Sequence, residues 1–206
     1  PTTWVEGQYI YTAWIDTGSN AIEVNRIDTG SSDALGTKCT SSSLGTISAS
    51  FLVSITVTDD GNVYVASSDT STDTEFTMQK LVYSGCTFTD ITTGSGLSAE
   101  DRPVLNSYEN LVYVVFQNGN ISRSIYSSTD NIWRLTNDTV GAVTNNNYSL
   151  GGNADGNWLL SVSGTTATRL DGFENTAYKA VDSSIGTNGR SDIACPTADN
   201  CKILFF

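Results

Sequence analysis

The chain has 206 residues, a formal net charge of −12, a sequence pI near 4.1 and no histidine. Ten Lys and Arg against 22 Asp and Glu leave too little positive charge to offset phosphate repulsion, which excludes a nucleic-acid partner. No run reaches the ~20 apolar residues of a membrane helix, so no membrane insertion is expected.

One short pattern recurs along the chain: a turn residue, then Asn or Gln, then an apolar strand. Its copies are Gly7-Gln8-Tyr9-Ile10-Tyr11, Gly61-Asn62-Val63-Tyr64-Val65, Glu109-Asn110-Leu111-Val112-Tyr113, Gly156-Asn157-Trp158-Leu159-Leu160 and Asp199-Asn200-Cys201-Lys202-Ile203. The steps from Gln8 to Asn62, Asn110, Asn157 and Asn200 are 54, 48, 47 and 43 residues. A period of about 40–50 residues in an all-strand chain predicts a β-propeller with one four-stranded blade per repeat. A blade cannot cover its own two faces, so the repeats must stack. The expectation is a single propeller domain over 1–206, all-β, of four blades or of four to five with incomplete terminal blades.

In the first repeat only residues 1–5 remain as an inner strand ahead of the motif, followed by strands at 9–15 and 22–27. The second repeat predicts strands at 51–57, 63–67, 76–83 and 87–91. The third, at 103–107, 111–117, 121–127 and 132–136, is the most regular. Its turns carry Gly and Asn, residues that tolerate the positive φ angles tight hairpins need. The fourth runs 148–150, 158–163, 166–170 and 176–181, and the last stops after 191–195 and 201–206. Two resolutions of the ends stay open. The last two strands join 9–15 and 22–27 as one shared blade, closing a four-bladed ring. Alternatively the edges are incomplete and are finished by further sequence or by another subunit, since an open apolar strand such as 202–206 recruits partners. The start at Pro1, without an initiator Met or a leader-like run, reads as a processed or trimmed product.

Four cysteines without a Cys-x-x-Cys pattern point to disulfides in an oxidising, extracellular compartment. Cys195 and Cys201 flank a short turn between two strands, which suits a cross-strand bridge. Cys39 and Cys86 then pair by elimination, tying the first repeat to the second, although four cysteines allow three connectivities.

Ser128-Thr129-Asp130-Asn131-Ile132-Trp133, on the turn between the third and fourth strands of its repeat, resembles the Asp box of sialidase-type propellers. It is shorter than that box and lacks its glycine. Looser echoes stand at Asp171-Gly172 to Thr176-Ala177-Tyr178 and at Ser84-Gly85-Cys86-Thr87-Phe88. In that family the box is a structural turn whose Asp accepts backbone hydrogen bonds and whose aromatic ring packs inside. The family's enzymes grip a substrate carboxylate with three arginines and use a Tyr–Glu pair with an acidic Asp. Here Arg102 and Arg190 alone precede inner strands, with no arginine ahead of Phe51 or Tyr148, so a catalytic set is not expected.

Among other candidates, Trp14 beside Asp16 could stack on a sugar ring or cap an inter-blade core. Asp69 joins Arg102, Arg190 and Trp14 as a ligand-binding candidate on the loop face. Carboxylates for glycoside hydrolysis could come from Asp16, Asp69, Asp73, Glu75 and Glu100, though loop carboxylates ordinarily serve turns. Asn153-Ala154-Asp155-Gly156-Asn157 and Asp59-Asp60-Gly61-Asn62 place oxygen side chains as calcium loops and hairpin turns both do. No dedicated metal site or other cofactor is expected, with calcium the one ion left open. Asn120, Asn137 and Asn147 head glycosylation sequons at turns. The sequence thus predicts a non-catalytic extracellular structural or adhesive protein that self-associates, with glycan binding as the alternative and a sialidase-like hydrolase behind it.

Overall fold

A computed structural model of the chain describes residues 2–31, 34–43, 51–69, 76–92, 101–118, 120–142, 148–153, 156–163, 166–171, 178–182, 191–197 and 200–205, with side chains described within 2–139. Every pairing among the described strands is antiparallel, and apart from β5, which returns to β3, neighbours in each sheet follow one another in sequence. Sheet I holds β1 (Thr2–Glu6), β2 (Tyr9–Asp16) and β3 (Ala21–Asp28), with the short β4 (Ala34–Leu35) and β5 (Cys39–Thr40) both on β3. Sheet II is β6 (Phe51–Val57), β7 (Val63–Asp69), β8 (Thr77–Val82) and β9 (Thr87–Asp90), with a 3₁₀ turn at Tyr83–Gly85. Sheet III is β10 (Asp101–Tyr108), β11 (Leu111–Asn118), β12 (Asn120–Ser127) and β13 (Ile132–Ala142). Sheet IV is β14 (Tyr148–Asn153), β15 (Gly156–Ser163), β16 (Thr166–Asp171) and β17 (Tyr178–Asp182). Sheet V has β18 (Ser191–Thr197) and β19 (Asn200–Phe205).

All five copies of the sequence pattern sit at the start of the second strand of a sheet. The shared-blade scheme for the ends is overturned. β1 pairs with β2 over Thr2–Glu6 and β2 pairs with β3, so sheet I builds its own inner strand and needs none from β18 and β19. The five residues ahead of Gly7 are enough, because a two-residue turn returns the chain directly.

The first strands of successive sheets pack side by side: β1 on β6, β6 on β10, β10 on β14 and β14 on β18. Among the described residues no comparable packing joins β18 or β19 back to β1. Strand alternation puts apolar side chains on both faces of the second strands. Tyr11, Ala13, Ile22 and Val24 of sheet I meet Ile55, Val57, Val63, Val65 and Leu81 of sheet II in one core. Tyr64, Ala66 and Met78, on the other face of sheet II, meet Leu105, Val112, Val114, Phe116 and Tyr126 of sheet III. Tyr113, Val115 and Ile125 then occupy the remaining face of sheet III.

Sheets I and III share one register. Gly7 and Glu109 both take positive φ, 56° and 51°, in two-residue turns. The amides of Thr29 and Ser128 return to the carbonyls of Gln8 and Asn110 at 2.9 and 2.8 Å. Tyr9 is therefore equivalent to Leu111. Sheet II departs by one position, because its turn spans Thr58 to Asn62 and pairs Val57 with Val63. Val63 faces sheet I, as Val112 faces sheet II, so in facing it corresponds to Val112 and not to Leu111.

Specific links reinforce each interface. Between sheets I and II, Cys39 and Cys86 form a disulfide with Cα atoms 5.0 Å apart. Arg26 stacks on the rings of Tyr9 and Tyr83, at 4.2 and 4.6 Å from their centroids. Between sheets II and III, Ser128 Oγ donates to Asp60 Oδ2 at 2.5 Å and accepts from the Tyr64 hydroxyl at 2.6 Å. Asn62 Nδ2 donates to the same oxygen, and the Asp60 amide donates to Asn110 Oδ1. Thr58 Oγ1 and the Asn62 amide donate to Asp60 Oδ1. Trp133 Nε1 donates to the Ile91 carbonyl at 3.0 Å.

Burial alone would raise the Asp60 carboxyl, but hydrogen bonds from Ser128, Thr58 and Asn62 outweigh it and hold it below its ordinary value of 3.8. A depressed carboxyl stabilises the fold above its unfolded pKa, and that contribution disappears as pH falls through the folded one. Denaturant titrations of wild type and Asp60→Asn should therefore converge as pH drops below about 4, with wild type the more stable at neutral pH. Replacing Cys39 and Cys86 together by Ser opens a tether with a sequence separation of 47 residues. By chain entropy that costs about 4 kcal/mol, to be read as a lower denaturation midpoint.

Candidate functional site

The feature that stands apart is the face of sheet I turned away from sheet II. The pairing aligns Val5 with Ile10, Ile10 with Ile27 and Ile27 with Leu35, giving an apolar row across four strands. Val5 is 64% and Leu35 70% exposed, while Ile10 and Ile27 are half-buried. By alternation Thr3, Thr12 and Asn25 form the next row, with Trp14 opposite Glu23 beyond it. Glu23 is buried and its Oε1 accepts from Lys38 Nζ at 2.5 Å, the lysine remaining half-exposed. That pair neutralises a carboxylate that would otherwise be stranded under the sheet surface.

The common register of sheets I and III shows what this face corresponds to. Val5, Ile10, Ile27 and Leu35 occupy the places of Ser107, Val112, Tyr126 and Trp133. Trp14 occupies the place of Phe116. In sheet III those positions are the interface with sheet II: Val112, Phe116, Tyr126 and Trp133 pack in the shared core, and Ser107 Oγ donates to the Val57 carbonyl. Sheet I thus carries an inter-sheet face with no sheet on it among the described residues.

Of the residues singled out from sequence, Trp14 lies on this face, half-buried. Asp16, at the end of the same strand, accepts from the Ser19 hydroxyl and the Gly18 amide, which hold its carboxyl below the ordinary value. Its oxygens are engaged in closing the β2–β3 turn. Arg102 lies in β10 and Asp69 ends β7, opposite Phe51, but both side chains lie outside the description. Arg190, Asp73, Glu75, Glu100 and Asn147 lie outside the described residues. Cys195 and Cys201 fall in the paired strands β18 and β19, where the register shifts between Ala194 and Thr197; their side chains are outside the description. Asn120 opens β12, and its side chain is outside it too. Asn137 is half-buried in β13, with φ 52° and its amide donating to Ser124 Oγ.

The Asp59–Asn62 segment places Asp60 in the hydrogen-bonded tie to sheet III, with both carboxylate oxygens occupied by protein donors. The companion segment at 153–157 has no described side chains. Among the described residues no group of three or more His, Cys, Asp or Glu stands together. The Asp130 carboxylate accepts from the Ser127 hydroxyl and from Arg134, and Trp133 packs edge-on against Tyr126 with centroids 5.2 Å apart. Sequence reasoning passed over Ser128 as a ligand of its neighbour sheet, and over the row from Val5 to Leu35. Alternation along β1, β2 and β3 could have revealed the row, but the two-residue β4 shows no period.

No known family model matches the chain, and no curated protein matches it in sequence. Its fold is nevertheless shared. The SapL1 lectin, solved in complex with alpha methyl fucoside, superposes with a TM-score of 0.64 at 14% identity, over 99% of this chain and 70% of its own. TolB from Acinetobacter baumannii superposes with a TM-score of 0.59 at 12% identity, over 91% of this chain. The chain spans 43% of that TolB chain. Both are propeller-like, and the present chain is an all-β, propeller-like protein whose described residues include one 3₁₀ turn and no longer helix.

The equivalence of the two faces predicts unequal costs for truncating the matched positions Phe116 and Trp14. Phe116→Ala empties a site 1% exposed and should cost about 3–5 kcal/mol. Trp14→Ala, on the uncovered face, should cost less than half as much in dilute protein, measured by chemical denaturation.

Proposed function

We propose that this chain is a non-catalytic extracellular β-propeller protein that works as a structural or adhesive subunit and associates with itself. Sheets I to IV are its blades, and β18 with β19 begins another. The uncovered apolar row from Val5 to Leu35 carries this reading. A sheet face built like the buried ones, yet exposed, gains free energy when a partner removes it from water, at about 25 cal/mol per Å². The disulfide between Cys39 and Cys86 supports an oxidising compartment, and the sequence offers no His for acid–base work. No helix among the described residues is long and apolar enough to cross a membrane.

The second reading is glycan binding, favoured by the likeness to the SapL1 lectin, whose solved complex holds alpha methyl fucoside. Trp14, Arg102, Arg190 and Asp69 are its candidate contacts, with calcium a candidate ion. Asn120, Asn137 and Asn147 are candidate glycan attachment points on this chain itself.

Sedimentation velocity over a hundredfold concentration range, with and without alpha methyl fucoside, separates the two readings. Mass-action association insensitive to the sugar is the expected result. A monomer throughout, with saturable fucoside binding, would replace the assembly reading by the lectin one.

A further inference from the structure

We propose that Arg26, between β3 and the turn after β8, is the receptor of an anion site, taking the carboxylate of a ligand that is otherwise uncharged. This site is independent of the uncovered face of sheet I and of the contacts named for glycan binding. Alternation along β2 and β3 puts Tyr9, Tyr11 and Arg26 on the side of sheet I that faces sheet II. Arg26 lies directly opposite Tyr11, and its Cζ sits 4.2 Å from the Tyr9 ring centroid and 4.6 Å from that of Tyr83. Tyr11 stands edge-on to both rings, at 6.2 and 5.9 Å between centroids. The Tyr83 hydroxyl donates to the Thr37 carbonyl, and the Cys39–Cys86 disulfide pins the turn that carries Tyr83. A guanidinium held in this way has given up its freedom before a ligand arrives, which lowers the entropic cost of binding.

Stacking occupies the faces of a guanidinium and leaves the N–H groups along its edge. Among the described residues those of Arg26 meet no hydrogen-bond acceptor and no ion-pair partner, and none of its nitrogens is sealed from water. Other described cations are engaged: Lys38 by Glu23, Lys80 by Asn131, Arg123 by Asp138 and Arg134 by Asp130. Carboxylates are close in register, since Glu6 and Asp28 pair with Tyr9 from either side. Yet Asp28 Oδ1 is taken by Gln8 Nε2 and the Gly30 amide, and neither carboxylate pairs with the guanidinium. The open edge is a planar fork that fits a carboxylate with two parallel hydrogen bonds. Glu6 and Asp28 also set the charge the site accepts. Their repulsion weighs more against a phosphate, which brings a second negative charge, than against a single carboxylate.

Titration of ¹⁵N-labelled protein with sodium acetate, at fixed pH and with ionic strength held by chloride, tests this through the arginine Nε–Hε NMR signals. The expected result is a saturable shift at Arg26, identified by its absence from the Arg26→Lys variant. Arg123 and Arg134, already paired with carboxylates, should show no saturable shift. Acetamide, similar in shape but uncharged, should leave Arg26 unmoved. An equal, non-saturating drift at every arginine would mean charge screening alone and would overturn the proposal, as would no shift at Arg26. Arg26→Lys keeps the charge but loses the fork, so its acetate affinity, read from the Tyr9 and Tyr83 ring protons, should fall about tenfold. Affinity unchanged in that variant would exclude the fork as the receptor. The same wild-type titration with methyl glucuronide and with N-acetylglycine separates a saccharide carboxylate from a peptide terminus. Tighter binding of either at Arg26 names the source and supports the site.

Discussion

A sheet whose central strand is apolar on both sides has to be covered twice, and the rest of this molecule follows from that requirement. The motif that opens each second strand is followed by runs such as Val63-Tyr64-Val65 and Val112-Tyr113-Val114-Val115-Phe116. Alternation sends half of each run to either side. One neighbour cannot satisfy both faces, so the sheets form a series in which each is cover for the one before. Tyr64 and Phe116, 0% and 1% exposed, show how completely the interior members of the series are enclosed. Sheet I has the same two-sided chemistry and only one described neighbour, and its exposed row is the direct consequence.

Apolar packing alone would let neighbouring sheets slide, because it has little directional preference. The polar links fix the register. Ser128 accepts from Tyr64 and Asn62 while donating to Asp60, so the turn after β12 meets the turn before β7 in one geometry. Burial pushes the Tyr64 hydroxyl well above the ordinary tyrosine range, which keeps it a neutral donor. Between sheets I and II the covalent tether and the stacked Arg26 take the same role. Carboxylates in this acidic chain are thereby used inside turns and across interfaces. Asp16 closes a hairpin, Asp60 joins two sheets, and Glu23 is held by Lys38.

Much of this was readable in the residues, for reasons that can be stated. The strands of the second, third and fourth repeats were legible because Gly- and Asn-rich turns bound short β-branched runs. The pairing of Cys39 with Cys86 was reachable by elimination. The positive φ at Glu109 was not legible, since nothing in a glutamate announces it; only the equivalent Gly7 does. The role of Ser128 was hidden because its partner Asp60 is 68 residues away. The one-residue offset of sheet II was masked by Asn62, which matches the motif in sequence although its longer turn moves the facing by one. The inner strand of sheet I was undervalued because five residues looked too few to stand for a full strand.

Hydroxyl-radical footprinting followed across concentration tests the series of mutually covering sheets most directly, because it reads the solvent access of named side chains. The account predicts that Tyr64 and Phe116 stay protected at every concentration. Leu35 and Trp14 should react in dilute protein and become protected as it is concentrated. Oxidation of Phe116 at a rate comparable to Leu35 in the folded monomer would contradict the account, since the inner sheets would then not be covered on both faces.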